Sequence, residues 1–467
     1  MSGRGWMGAT PAVLAACRDM VDAPKVREGV NAYFVRSPEG ACLQFSVPLL
    51  LPFRPDIDPR GADGAVWAAL EAVKRASPAD VRLHPLGGLD TDRPAAYAGG
   101  TEPITLVRSA SRAGTGLWKP DGENYLDTAG LHCTVHGAIP YPGPPGDATA
   151  REVAGAVADL ADAIREIVHR VPAPDIAAAA TLSLDQKLLR KELPAMDLVC
   201  FIGDSTCPAR AFTRFRQHHR VAGPKEGVHI PFVCPEELGP VEVDLPASGR
   251  TVAGLGIREK EAFAVAGSNA QGKTTLLQAI LAGEDDHAPG DGRELVVSVR
   301  GARTAEAGGP DLHGADVSLF FQSLPPGMTG TPKAAFGRGS GSMTMAVQVQ
   351  EAVRTGAPLL LIDEDRAAAN LLVASCLQEA DVTPLATLLA TRRDALGECA
   401  FVFAASSLDS LIARADRILL LSGHTAGAVS PAAFRARYLR YLKGQMKQVG
   451  EGETEEKRRD QPDRTSL

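Results

Sequence analysis

The stretch "GSNAQGKTT", Gly267 to Thr275, fits the pattern GxxxxGK followed by Ser or Thr at every fixed position. Residues of these types at this spacing suit one chemistry. Glycines let successive backbone N–H groups turn inward on an anion, and a following helix adds the positive end of its dipole. Lys273 then reaches the terminal phosphates of a nucleoside triphosphate, and the Thr274 hydroxyl holds Mg2+. The phosphate-contact set is Gly267, Ser268, Asn269, Ala270, Gln271, Gly272, Lys273, Thr274 and Thr275.

Such a loop needs a second anchor for the cation at a strand end. "PLLLIDED", Pro358 to Asp365, is an apolar run that ends in acids. A buried strand with acids at its tip is costly unless they meet a cation. Asp363 is therefore the expected Mg2+ ligand and Glu364 the expected residue that polarises the attacking water.

These residues need a frame. "AFAVAG" before the loop reads as a buried strand, and "TTLLQAILAG" after it as a helix that ends at Gly283 as a C′ glycine. From about residue 240 short apolar runs ("VEVDLP", "ELVVSV", "VSLFF", "PLLLIDE", "AFVFAAS", "RILLLS") alternate with helices such as "AVQVQEAV" and glycine turns. That texture predicts an α/β domain with a largely parallel sheet. Upstream, "ACLQFSVPLLLPF" reads as a strand and a buried run broken by prolines, "MDLVCFIGDS" as a buried strand, and "DGAVWAALEAVKRA" as a helix capped by Asp63. "TAREVAGAVADLADAIREIVHRV" reads as an amphipathic helix with Thr149 and Glu152 as a capping box.

Composition sets outer bounds. The chain has 467 residues, which allows two or three domains, and 45% hydrophobic residues, enough for true cores. With 49 basic and 56 acidic residues the net charge is −7, which argues against wholesale coating of nucleic acid. None of the eight cysteines forms a CxxC pair, so buried free thiols in a reducing compartment are expected. No apolar run of about 18 residues is present and no signal-peptide core opens the chain. The expected compartment is the cytoplasm, or the mitochondrion in a eukaryote.

The stretch between loop and acids narrows the class. In "GRGSGSMTMAVQVQEAVRTGAPLLLIDED", Ser340-Gly341-Ser342 opens a helix that leads into the acid-tipped strand. This resembles the signature motif of ABC ATPases, where such a loop closes over the γ-phosphate held by another subunit. Gln322 in "SLFFQSLPPG" resembles the Q-loop glutamine, which puts it among the expected Mg2+ and catalytic residues. Asn370 stands where the D-loop usually has Asp. The switch histidine of transporters would fall at Ser406, and its absence implies slow turnover.

With "GDGRE" (Gly290 to Glu294) and "ADRILLL", these motifs resemble the "predicted ATPase of the ABC class" family. "DLVCFIGDSTCPAR", "VHIPFVCPEEL" and "DLPASGRTVAGLGI" look like its pre-ATPase segment. The resemblance covers roughly 130 to 425. The family usually has His-Gly-Lys-Ser where this chain has Gln271-Gly272-Lys273-Thr274, and Ser-Gly-Ser-Thr where it has Ser340-Gly341-Ser342-Met343.

The resemblance implies a P-loop ABC-type ATPase domain preceded by a smaller mixed α/β N-terminal region. The expected division is 1–130, 131–238, 239–430 and a helical end with a disordered charged tail over 431–467. It implies ATP and Mg2+ as cofactors and a homodimer that sandwiches two nucleotides between Lys273 of one copy and Ser340, Gly341 and Ser342 of the other. No membrane subunit is expected. One branch of the family is tied to mitochondrial RNA processing, so RNA or single-stranded nucleic acid is an implied partner. The basic stretch from Arg210 to Lys225 is the candidate contact, or else a solvated loop face. Arg293 or His287 either braces the nucleotide site, or Arg293 lies in a surface salt bridge.

Overall fold

The structure is a computed structural model; it describes residues 3–22, 32–37, 40, 42–76, 79–87, 122, 124–212, 222–224, 230–309, 311–376 and 381–459. The basic stretch falls mostly outside these residues: Arg214, Arg216, His218, His219, Arg220 and Lys225 are not among them.

The N-terminal part opens with α1 (Gly3–Arg18), β1 (Tyr33–Arg36) and β2 (Cys42–Leu51). It continues through α2 (Ala62–Ala76) and α3 (His84–Gly87) to β3 (Tyr125–Asp127), β4 (Gly130–Pro140), α4 (Asp147–His169) and α5 (Ala173–Glu192). The four strands form an antiparallel sheet in the order β1-β2-β4-β3. β2 runs unbroken through Pro48, which pairs with Thr134, so the proline does not split the run as expected. Val153, Val157, Leu160, Ala161, Ile164 and Val168 line the buried face of α4, and Trp6, Phe34 and Phe45 lie in the same core.

Two expected caps shift. Gly146 is the N-cap of α4, and its amide donates to Thr149 Oγ1 at 2.9 Å, so Thr149 sits at N3. Asp63 lies inside the first turn of α2; a preceding 3-10 turn is capped instead by Asp58, which accepts from the Arg60 amide at 2.9 Å. In the first case Thr149 reaches back from the first turn to the Gly146 amide, and in the second Asp58 takes a free amide one turn earlier.

α2 lies hard against α5. A Cβ at Gly64 would fall inside the contact radius of the Ala179 carbonyl. Gly64→Ala therefore forces the two helices apart. Overpacking of this kind costs about 1–3 kcal/mol, read as a lower midpoint in urea or thermal unfolding; an unmoved midpoint would contradict the close approach.

The chain then forms β5 (Leu198–Gly203), β6 (Arg210–Phe212), β7 (Ala222–Pro224), β8 (Val241–Leu245), β9 (Arg250–Arg258), β10 (Ala262–Ala266), α6 (Lys273–Ala282) and β11 (Val296–Ser298). β12 (Arg303–Thr304), β13 (Asp311–Ala315), β14 (Thr329–Thr331), β15 (Ala334–Arg338), α7 (Gly341–Arg354), β16 (Leu359–Asp363) and α8 (Ala369–Leu372) follow. The last elements are α9 (Leu385–Thr391), β17 (Ala400–Ala405), α10 (Asp409–Ile412), β18 (Arg417–Ser422), β19 (Thr425–Ala428) and α11 (Pro431–Arg459).

The central sheet has six strands in the order β12-β16-β17-β10-β18-β19, parallel except for the β18–β19 hairpin. β10 and β17 are buried throughout, as apolar runs in a sheet covered on both faces must be. A second, antiparallel sheet runs β11-β5-β9-β8, and a three-stranded one β13-β15-β14. "VSLFF" is not a strand: Asp316 accepts from both the amide and hydroxyl of Ser318, and that turn wins over the apolar pattern. α11 runs through the first part of the charged tail expected to be disordered; its Glu, Lys and Arg residues favour helix.

Candidate functional site

The phosphate loop sits between β10 and α6, at the carboxyl end of the central strands. Gly267 and Gly272 have φ of +150° and +98°, and Ala270 has φ of +60°. The path therefore uses the left-handed region where glycine costs least. A Cβ at Gly267 would collide with the Leu421 carbonyl of β18, so the loop's first residue must be small for packing as well. Lys273 is buried, and its Nζ donates to the carbonyls of Gly267 at 2.9 Å and Ser268 at 2.8 Å. The ammonium is thus held over the loop by its own backbone.

Thr274 and Asp363 meet. Thr274 Oγ1 donates to Asp363 Oδ2 at 2.6 Å, across 89 residues of sequence. β16, buried over its first four residues, carries Asp363 to the loop beside α6. The pair is a hydroxyl and a carboxylate, the hard oxygen donors that Mg2+ takes from protein while waters and phosphates fill its other positions. Among the described residues no group of three or more His, Cys, Asp or Glu side chains is arranged to hold a metal. The residues present fit a cation shared with a triphosphate.

Glu364 follows at once. Its carboxylate accepts from Ser407 Oγ and from the amides of Ser406 and Ser407, the last at 3.3 Å. Ser406 Oγ in turn donates to Asn269 Oδ1 at 3.2 Å. The end of β17 therefore ties the acid to the phosphate loop. Only Ser406 carried a signal in the sequence, as the position where a switch histidine would stand; Ser407 carried none. Nearby, burial pushes the Asp409 carboxyl above its ordinary value, with Arg437 pulling against that and the Glu364 charge adding to it.

Other expected residues stand apart. The Gln322 amide donates to the Asp381 carbonyl at 2.8 Å, and its side chain is exposed. Ser340 is the exposed N-cap of α7, accepting from the Met343 amide at 3.4 Å and lying 3.0 Å from Ser342 Oγ. Gly341 follows as the first residue of the helix. Among the described residues no hydrogen bond joins Gln322 or the Ser340–Ser342 turn to Thr274, Asp363 or Glu364 within one copy. Gln271 takes the His424 amide at 3.3 Å, fastening the loop to the β18–β19 turn.

The far end of α6 is braced from α5. Gly283 has φ of −62° and is not a left-handed cap. Its place is set by packing, since a Cβ there would lie 2.9 Å from Ser298 Oγ of β11. Arg190 donates to the Gly283 carbonyl at 3.1 Å, the Asp285 carbonyl at 3.1 Å, the Ser298 carbonyl at 3.2 Å and Asp286 Oδ1 at 2.9 Å. Gln186 exchanges two hydrogen bonds with the backbone of His287, at 2.6 and 2.9 Å. Arg293 is 3% exposed and pairs with Asp291 at 2.7 Å, so the surface reading of that residue is overturned.

Arg190→Ala removes the nearer of two cations from Asp286, which keeps Ser183 Oγ at 2.8 Å and Lys187 at 3.9 Å, and leaves three carbonyls without that donor; the loss costs about 1–3 kcal/mol. Arg190→Lys is expected to recover little, because a lysine ammonium has three donors and no planar fork. Denaturant unfolding of both variants checks this.

The site and fold now stand beside known proteins. The family model of the ABC_ATPase P-loop domain matches residues 172–458. The uncharacterized protein MJ1628 of Methanocaldococcus jannaschii is 39% identical over 383 residues, 82% of this chain and 83% of that protein. The solved structure of cbiO1 from Clostridium perfringens, part of the ABC transporter complex cbiONQ, is 13% identical. It covers 55% of this chain and 98% of its own at a TM-score of 0.31, too loose a superposition to add to the argument. Among the described residues no helix is long and apolar enough to cross a membrane. A match over most of the chain to a family defined by its phosphate loop, together with a relative of this identity and coverage, makes the chain a member of the ABC_ATPase P-loop domain family.

Proposed function

We propose that the chain binds Mg-ATP and hydrolyses it slowly, two copies clasping two nucleotides head to tail. The observation that carries this reading is the meeting of Thr274 with Asp363 at 2.6 Å beside a lysine already folded over its loop. In the bound state Lys273 leaves the Gly267 and Ser268 carbonyls and neutralises the β- and γ-phosphates. The amides at the start of α6 take the same oxygens. Thr274 and Asp363 hold Mg2+, which supplies charge neutralisation on the transferred phosphoryl group.

Glu364 orients a water and receives its proton. Three donors already sit on its carboxylate, whose two oxygens offer about four acceptor sites, so the water takes the site that remains. Ser406 stands where transporters of this class carry the switch histidine, and the lack of an imidazole there is the ground for slow turnover.

The second copy supplies Ser340, Gly341 and Ser342. Ser340 is exposed at the N-terminus of α7, a 14-residue helix, and among the described residues none of its own copy's phosphate loop bonds to it. A dipole end and hydroxyls presented outward suit the γ-phosphate of a neighbour. Gln322, exposed on a separate segment, is the remaining candidate contact to Mg2+ and the attacking water.

Sedimentation with and without Mg-ATP, joined to a phosphate-release assay, tests the reading. Nucleotide-dependent closure of two copies with slow phosphate release is the expected result. No nucleotide binding by the full chain would end it.

A further inference from the structure

Helices α2 and α5 touch closely at one point and leave room beside it. They meet where Gly64 faces the Ala179 carbonyl, so near that no Cβ fits. Next to that contact the wall is made of Ala68, Ala72 and Ala178, side chains too small to fill the space. A cavity of about 390 Å³ is left there. That volume lies in the range of small-molecule sites, whereas a packed junction leaves no gap of such size.

The rest of its wall comes from separate parts of the chain. Buried Trp67 of α2, Ile167 of α4 and Val171 supply apolar surface, and Ala288 and Pro289 of the connection from α6 to β11 complete it. Those two follow directly on His287, whose backbone Gln186 holds, and on Asp286, which Arg190 and Ser183 hold. The cavity therefore borders the segment that leaves the phosphate-loop helix.

Charge decides what the cavity suits. Arg75, Arg170, Glu71 and Asp175 line it, two of each sign, so no net field draws in a phosphate or another multiply charged anion. Two of the four are already engaged: Arg170 pairs with Glu166 at 3.3 Å, and Glu71 has a partner of its own. Arg75 and Asp175 are exposed, and among the described residues neither side chain makes an ion pair or a hydrogen bond. One uncommitted cation and one uncommitted anion thus stand at the same, mainly apolar, cavity.

We propose that this cavity binds a free α-amino acid with an apolar side chain. The side chain packs on Trp67, Ile167 and Val171, the carboxylate meets the Arg75 guanidinium, and the ammonium meets Asp175. A guanidinium fork matches a carboxylate with two parallel hydrogen bonds, and an ammonium offers three donors to the other acid. An apolar acid without the ammonium would leave Asp175 unmet beside a like charge. An apolar amine would do the same to Arg75. The site takes no part in phosphate chemistry, so the proposal goes beyond the ATP reading and does not rest on it.

The test is calorimetric titration of the nucleotide-free full chain with L-phenylalanine and with L-leucine, with the unfolding midpoint as a second readout. Saturable one-to-one binding of at least one of them is expected, with a midpoint that rises with its concentration. The analogues without ammonium, phenylpropanoate and isocaproate, and those without carboxylate, phenethylamine and isoamylamine, should bind about tenfold or more weakly, because each forfeits a charge-assisted contact. Arg75→Gln and Asp175→Asn should weaken amino-acid binding to the same degree. Both side chains are exposed, and the midpoint of each variant without ligand checks that it still folds. Ala178→Trp, at an exposed position of the wall, should fill the cavity and abolish binding.

No saturable binding of either amino acid overturns the proposal. So does binding that is unchanged by Arg75→Gln, by Asp175→Asn or by Ala178→Trp, or analogues that bind as tightly as the amino acids. A chain that takes up the amino acid and not Mg-ATP would sink the ATP reading and leave this one standing.

Discussion

Glu364→Gln is expected to lower steady-state ATP hydrolysis by about a hundred- to ten-thousand-fold, the usual worth of a positioned general base, while leaving Mg-ATP affinity within a few-fold of wild type. The amide keeps the shape of the carboxylate: its oxygen can still accept from the two backbone amides, while its NH2 group donates to Ser407 Oγ, which turns from donor to acceptor. What it loses is the capacity to take a proton from water. Nucleotide should therefore stay unhydrolysed in the closed pair, and sedimentation in Mg-ATP should show a longer-lived dimer than wild type. A rate untouched by the substitution would remove Glu364 from the chemistry and leave it as a tie between the end of β17 and the phosphate loop. Ser407→Ala separates the two roles: it frees one carboxylate oxygen and leaves the proton-accepting group in place, so its rate should stay well above that of Glu364→Gln.

Lys273→Ala should be comparably damaging by a different route. Lys273 is buried, and among the described residues its ammonium donates to the carbonyls of Gly267 and Ser268. Its removal takes away the charge that meets the terminal phosphates. Loss of one such electrostatic stabiliser costs about a hundred- to a thousandfold in rate. Nucleotide affinity should fall too, because this contact is made with bound ATP as well as with the transition state. Titration with a fluorescent ATP analogue, beside phosphate release, distinguishes the two variants: Glu364→Gln binds and does not turn over, whereas Lys273→Ala does neither. Full affinity in Lys273→Ala would show that the loop amides alone suffice to hold the triphosphate.

Much of this site was legible before the fold was known. The loop "GSNAQGKTT" and the acids after "PLLLI" are local patterns, because a phosphate cradle is built from consecutive amides and a strand-end acid from the residue after an apolar run. The parallel sheet was legible for a related reason: strands buried on both faces must be apolar throughout, and β10, β16 and β17 read that way. Where local hydrogen-bonding competes with pattern, the reading failed. Asp316 turned "VSLFF" away from strand, Gly146 began α4 before Thr149, and Gly283 stands where it does because of Ser298 rather than as a cap.

The sequence by itself determined which chemistry to expect, since residue type and spacing within one loop and one strand end are one-dimensional facts. Tertiary structure alone decided what restrains that chemistry. Ser407 on Glu364, Asn269 on Ser406, Arg190 across four acceptors behind α6 and the cavity beside α2 and α5 join residues dozens to more than a hundred positions apart. No local periodicity encodes such meetings. They exist only after burial of the apolar faces has paired the strands and set the helices against them.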